Sequence, residues 1–287
     1  MEDSTSPLML RRRLRTELRT ARLNKDLTQD QVARAMEWSL SKMNRIEKAK
    51  TGISVNDLRA LLPLYGITDK ERTEELLDLA RAARQAPWWR EYSEVAPTTL
   101  LELIDYESAA STVSQFETMF VPGILQTEEY ASAVLQVFYD EKSAPKKVAA
   151  LVELRTKRRA LLTSENAPDF SFVLDESVIR RQAGSAAIMG QQLRHLVDAA
   201  ELPNVTIHVI PFAVGLHAGM KGPFEVVQFD DTPDENVVFL EGPRGDFIGD
   251  DPEETESYLG AFARITETSL APSDSVARLS KAIGDLV

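Results

Sequence analysis

Residues 27 to 47, LTQDQVARAMEWSLSKMNRIE, constrain the fold more than any other stretch, because they fit two short helices joined by a tight turn with a polar outer face. Thr28 is a good N-cap, with Gln31 three places on in the capping-box position, and Val32, Ala33 and Met36 form one apolar stripe. Glu37-Trp38 is the turn and Ser39 the next N-cap. Met43 and Ile46 are the inward positions of the second helix, which leaves Leu40, Ser41, Lys42, Asn44 and Arg45 outward. The sequence therefore predicts a helix-turn-helix.

A helix packed on one side only, with amide, hydroxyl and cationic groups on the other, matches what a DNA major groove offers. Lys donates to guanine O6 and N7, Asn pairs with adenine N6 and N7, and Ser serves a base edge or a phosphate. An apolar residue such as Leu40 suits a thymine methyl. An ordinary amphipathic helical hairpin with a solvated outer face has the same local pattern.

Residues 10 to 66 resemble the Cro/repressor-type (XRE) helix-turn-helix family, in which helices two and three often read LTQ, a short turn, then a run ending RIE. Leu27-Thr28-Gln29 and Arg45-Ile46-Glu47 stand at that spacing. The resemblance implies that Gln29 touches phosphate at a helix N-terminus. It also implies that Ser41, Lys42, Asn44 and Arg45 read bases of double-stranded DNA. The family usually carries Gly in the turn, whereas this chain has Glu37-Trp38. A non-Gly residue reaches the left-handed conformation at a cost of about 1 kcal/mol.

The chain has 287 residues, 43% of them hydrophobic, which is enough for two domains with real cores. It has no Cys, which excludes disulfides, thiolate metal sites and a Cys nucleophile and fits a reducing cytoplasm. Arg11-Arg12-Arg13 precede no apolar core of signal-peptide length, and no apolar run reaches the roughly 18 residues that span a bilayer. A cytoplasmic protein without a membrane partner is expected. The net charge of -12 is unevenly divided. Residues 1 to 66 hold 13 Lys and Arg against 8 Asp and Glu, and residues 67 to 287 hold 20 against 37. A basic module gains from releasing phosphate counterions, while an acidic remainder lowers non-specific affinity or simply keeps the chain in solution.

Residues 1 to 7 read as a loose tail. Residues 8 to 24 read as a helix with Leu10, Leu14, Leu18 and Ala21 inward and a basic face of Arg11, Arg12, Arg15, Arg19 and Arg22, either solvated or laid along phosphates. Lys48 and Lys50 stand in a Gly-bearing loop that can meet the DNA backbone. Ser54 caps a fourth helix ending at Tyr65-Gly66, and Asp69 starts a fifth to about Gln85. Pro87-Trp88-Trp89 closes this part as a packing wedge or a stacking site. The expected domains are a mainly α five-helix unit over 8–86 and an α+β unit with a small antiparallel sheet over 97–287.

In the second part a short helix, Pro97 to Tyr106, precedes a strand near Ser111 to Glu117. Residues 120 to 131, FVPGILQTEEYA, then give an extended entry, a Pro-Gly turn and a helix capped by Thr127 with acids in its first turn. This stretch resembles the VPGLLQT-E-Y-A segment in the C-terminal domain of actinomycete regulators of the WhiJ and Scr antitoxin-like type. The likeness continues through Arg180-Arg181-Gln182, residues 205 to 212, Gly215 to Phe224 and residues 237 to 241. It implies a transcriptional role and a small companion protein encoded nearby, and it supplies no catalytic residues.

Ala144 to Leu162 reads as a helix carrying Arg155, Lys157, Arg158 and Arg159, as a solvated face or a contact for an acidic partner. A strand at 170–174 and a helix from Ser185 to Ala200 follow. Strands near 205–211, 223–229 and 236–241 suggest an antiparallel meander, and helices near 252–268 and 273–286 finish the chain. His195, His208 and His217 form no metal-ligand spacing, and Asp175, Glu176 and Glu241 stand beside no nucleophile motif. Residues 242 to 249, GPRGDFIG, lack the phosphate-loop pattern and place Arg244-Gly245-Asp246 in a turn. The sequence thus predicts a DNA-binding homodimer on an inverted-repeat operator, or alternatively an antitoxin-like protein that binds a small companion protein and uses DNA binding for autoregulation, in either case with no cofactor, no metal and no catalytic function.

Overall fold

The structure, a computed structural model, describes residues 7–48, 51–139, 144–230, 235–242 and 245–286. The first six residues, Lys50 and Arg244 of the expectations above lie outside the described residues. The chain divides into two units, Met1–Arg90 and Glu91–Val287.

The first unit holds five α-helices: α1 (Pro7–Leu23), α2 (Gln29–Ala35), α3 (Leu40–Glu47), α4 (Val55–Leu64) and α5 (Lys70–Ala82). Each start after α1 follows from a capping side chain. Thr28 accepts from the Gln31 amide in a complete capping box, and Ser39, Ser54 and Asp69 accept from the amides of Lys42, Asp57 and Arg72. Leu14, Leu18, Val32, Met43, Ile46 and Leu58 close into one buried core. Glu37 takes φ of 55°, so the α2–α3 turn adopts the left-handed conformation without the usual glycine. Helix α5 ends a few residues before Gln85, and Trp88 and Trp89 meet edge to face with ring centroids 5.5 Å apart.

The second unit is α+β. Helix α6 (Thr98–Glu107) leads to β1 (Thr112–Glu117), and α7 (Glu128–Phe138) and α8 (Pro145–Arg158) lead to β2 (Asp169–Asp175). After α9 (Glu176–Arg180) and α10 (Ala186–Ala199) come β3 (Val205–Ile210), β4 (Phe224–Gln228), β5 (Val237–Leu240) and β6 (Phe247–Gly249). Helices α11 (Pro252–Thr268) and α12 (Pro272–Gly284) end the unit.

The strands form one six-stranded sheet in the order β3-β2-β1-β4-β5-β6. It is mixed, which corrects the expected small antiparallel sheet. Long helical crossovers return the chain in parallel from β1 to β2 and from β2 to β3, whereas β4, β5 and β6 pair antiparallel. Strand β3 is therefore an edge strand beside β2. Residues 211 to 223, with short 3-10 turns at Phe212–Val214 and Ala218–Lys221, carry the chain across to β4 beside β1. Nearness in sequence suggested a hairpin, but the crossovers decided the order.

Strand alternation gives the sheet two apolar faces. Val113, Phe172, Ile207, Val227 and Val237 join a large core that includes residues of α7, α10 and α12. Phe116, Val173, Val226 and Val238 join a second core with Phe262 and Ile265 of α11. The expected basic face of α8 is a second correction: Arg158 is buried, donating from Nε and Nη2 to the two Glu107 carboxylate oxygens at 2.6 Å each. Only a matched carboxylate makes such burial tolerable.

Glu117 is a buried acid of β1, and burial, with the Glu241 carboxylate adding to it, pushes its pKa from 4.5 to about 8. The folded state thus holds a proton that the unfolded chain gives up near pH 4.5. The associated stabilisation is complete below that pH and is lost as pH rises toward about 8. Denaturant midpoints of the full chain should fall across this window, and Glu117→Gln should flatten the fall. An unchanged slope in the variant would contradict the assignment.

Candidate nucleic-acid interface

The pitch of α3 is set by one buried carboxylate. Glu47, its last residue, is 7% exposed and accepts from three side-chain nitrogens on two other helices. Arg22 of α1 donates from Nε to Oε1 at 2.6 Å and from Nη2 to Oε2 at 2.9 Å, and Gln29 of α2 donates from Nε2 to Oε2 at 2.6 Å. Arg22 also donates from Nη1 to the Leu27 carbonyl at 2.7 Å, where the chain enters α2. The Glu47 hydrogen bond holds the Arg22 guanidinium more firmly charged, and burial, aided by Glu47, pushes the nearby Tyr65 hydroxyl well up. Three helices thus share one charge cluster.

With its inner face held, α3 turns the remaining positions outward. Leu40 is 51% exposed although apolar. Ser41, Asn44, Arg45 and Lys48 are exposed on the same short helix and at its C-cap. Lys42 is half-buried, with Nζ 3.0 Å from Asp57 Oδ2 and 4.1 Å from the centre of the Trp38 ring. To reach a base it must exchange Asp57 for nucleic acid.

The structure separates the predicted basic residues into two groups. On the basic face of α1, Arg19 is exposed and Arg11 half-buried, whereas Arg12, Arg15 and Arg22 are buried, so that face is neither wholly solvated nor wholly open to phosphate. Arg22 serves the Glu47 cluster. Gln29, expected at a phosphate, commits a side-chain amide proton to Glu47 in this structure. The cluster was legible only as Gln29 and the RIE ending; Arg22, far off in sequence, gave no sign of its role beyond helical spacing.

In the second unit Asp175, Glu176, His208 and His217 have structural partners, whereas His195 Nε2 is buried without a hydrogen bond. Asp175 caps α9 through the Ser177 amide, and Glu176 accepts from Arg180, Arg278 and the Phe212 amide. His208 Nδ1 lies 2.9 Å from the Leu270 carbonyl, and His217 Nδ1 accepts from the Gly219 amide. Among the described residues no group of three or more His, Asp or Glu could hold a metal ion, and no helix is long and apolar enough to cross a membrane.

Two capped helices packed through Val32, Met43 and Ile46, with a polar outer face on the second, define a DNA-binding regulator of the helix-turn-helix class. Residues 13–76 match the model of a helix-turn-helix domain. Residues 100–281 match the model of a domain of unknown function, DUF5753, which spans more than half of the chain, and the chain belongs to that family. No curated protein and no solved structure matches it.

Removing the Glu47 carboxylate leaves a buried guanidinium without its anion. Glu47→Ala should destabilise the helix-turn-helix unit by about 3 to 5 kcal/mol. Unfolding of the variant followed by circular dichroism measures this; a loss below about 1 kcal/mol, the range of an exposed pair, would show that the cluster does not hold the helices.

Proposed function

We propose that this chain is a sequence-specific transcriptional regulator that binds an inverted-repeat operator as a homodimer, its acidic C-terminal unit receiving a protein or ligand signal. The observation that carries the reading is the fixed α3, whose outward Leu40, Ser41, Asn44 and Arg45 stand free of the core while Glu47 anchors its end. In a dimer two such helices meet successive major-groove faces about 34 to 36 Å apart, which requires a short inverted repeat. The division of charge supports this: a basic balance in residues 1 to 66 favours phosphate, and the acidic remainder opposes sequence-blind binding.

On this reading Ser41, Lys42 and Asn44 take base edges, Leu40 a thymine methyl, Arg45 a base or a phosphate, and Gln29 and Lys48 the backbone. The chain acts by binding and not by catalysis. The resemblance of the second unit to antitoxin-like regulators supports an input that is itself a binding event, from a companion protein or a small molecule.

Asn44→Ala and Lys42→Ala should each lower affinity for a cognate duplex by about 1 to 3 kcal/mol and relax the preference at one base pair per half-site. Titrations against the cognate duplex and its single-pair variants check this. If either variant keeps the wild-type ratio between cognate and scrambled duplexes, that residue does not read sequence.

A further inference from the structure

Two central strands of the second unit break their own pattern. In β1 the positions in phase with the core residue Val113 are Gln115 and Glu117, and in β4 the position in phase with Val227 is Glu225. The register pairs Gln115 with Glu225, and Glu225 with Phe239 of β5. Polar groups are thereby gathered on the inner face at the middle of the sheet. All three are buried, Glu225 to 1% exposure.

Above them lies a cavity of about 560 Å³. Its other walls are apolar, from Leu100 of α6, Phe120, Phe138 of α7, and Leu151 and Leu154 of α8. The volume and the combination of an apolar wall with a few convergent polar groups are those of an organic-ligand site. The segment FVPGILQT, a marker in the sequence, forms part of this wall through Val121, Gly123 and Gln126. Its shape is held by Gln192 of α10, which accepts from the Thr127 amide and donates to the Leu125 carbonyl, both at 2.7 Å. At Gly123 an added Cβ would stand 3.4 Å from Arg158 Nη1, an ordinary contact.

The acceptors on the sheet face lack donors, while the Arg155 guanidinium in the α8 wall donates to the Leu151 carbonyl at 3.3 Å. Gln115 Oε1 and Gln126 Oε1 are buried acceptors with no hydrogen-bond partner, and the Glu225 carboxyl, once ionised, presents two more. Arg158 does not supply them: it gives two hydrogen bonds to Glu107 and stands 3.9 Å from Glu225. Gln115 spends its amide on Glu117 at 2.9 Å. Carboxyls also outnumber cations, since Glu117, Glu225, Glu241 and Asp246 line the cavity beside Arg155 and Arg158, and Glu107 already occupies one guanidinium.

We propose that this cavity binds a small organic cation, an amine or amidine on an apolar body, whose N–H groups reach Glu225, Gln115 and Gln126 while the body lies among the apolar walls. This deepens the reading of the C-terminal unit as the receiver and rests on it. Carboxylate ligands are disfavoured, because they would add acceptors to a lining that already has too many.

Burial drives the Glu225 carboxyl well above its ordinary range, with Glu107 adding to the effect and Arg158 opposing it. Glu117 titrates near 8 against Gln115 on its own strand, with Glu225 of β4, Glu241 after β5 and Tyr130 of α7 facing it. A bound cation favours the ionised forms, so binding releases protons and tightens as pH rises from about 6 to about 8.5.

The test is calorimetry on the full chain with three probes that share one body: 4-phenylbutylamine, 4-phenylbutan-1-ol and 4-phenylbutanoate. The amine should bind at least about ten-fold more tightly than the alcohol or the acid, releasing protons as judged by buffers of different ionisation heat, and more tightly at the higher pH. Glu225→Gln, which keeps shape and removes the charge, should weaken the amine by about ten-fold or more and leave the alcohol unchanged. If it does not fold, Glu117→Gln should abolish part of the proton release. Tighter binding of the acid, no amine binding up to about 10 mM, or equal binding by the folded variants would overturn the proposal. Duplex binding is measured separately on the same preparation. Amine binding without specific DNA binding would sink the regulator reading alone, and the converse would sink the cavity proposal alone.

Discussion

The Glu47 carboxylate is the interaction on which the DNA-facing geometry depends. A charge buried to that degree is tolerable only when donors surround it, and here Arg22 and Gln29 supply them from two different helices. The carboxylate sits at the C-terminus of α3, where the helix dipole gives it no help, so the guanidinium must carry the compensation. The consequence is directional. Once the inner end of α3 is tied to α1 and α2, its outer residues cannot rotate toward the core, and Leu40 remains exposed against its own hydrophobicity.

The second unit applies the same electrostatic rule to the opposite effect. Arg158 and Glu107 satisfy each other through two short hydrogen bonds and form a closed pair. Glu225 and Glu117 lie on the same sheet face without equivalent partners, and their raised pKa values express that shortage. A fold selected for stability alone would place Val or Leu at these central positions, as it does at Val113 and Val227. Polar groups retained there at a cost to stability are the ground for the proposed ligand site.

Much of the first unit was legible in the sequence because its signals are local. Thr28, Ser39, Ser54 and Asp69 all cap the helices expected of them, and the glycine-free turn takes the left-handed conformation at Glu37. What sequence could not give was long-range pairing. Helical spacing alone places Arg22 in a row of arginines and Arg158 on a solvated or partner-facing side, and only the fold brings Glu47 and Glu107 to them. Sheet order failed for the same reason: β3 and β4 are near in sequence, yet β3 follows the crossover from β2 and β4 joins β1. The parity of Gln115, Glu117 and Glu225 with Val113 and Val227 was present in the sequence, but its meaning needed the register that pairs the strands.

The most direct test of the regulator reading is selection of bound duplexes from a random DNA pool by the full-length chain at two salt concentrations. Recovery of a discrete inverted repeat, with half-sites about one helical turn apart and persisting at the higher salt, is the expected result. Recovery of salt-sensitive binding with no common sequence would contradict it, because α3 would then meet DNA through phosphates alone.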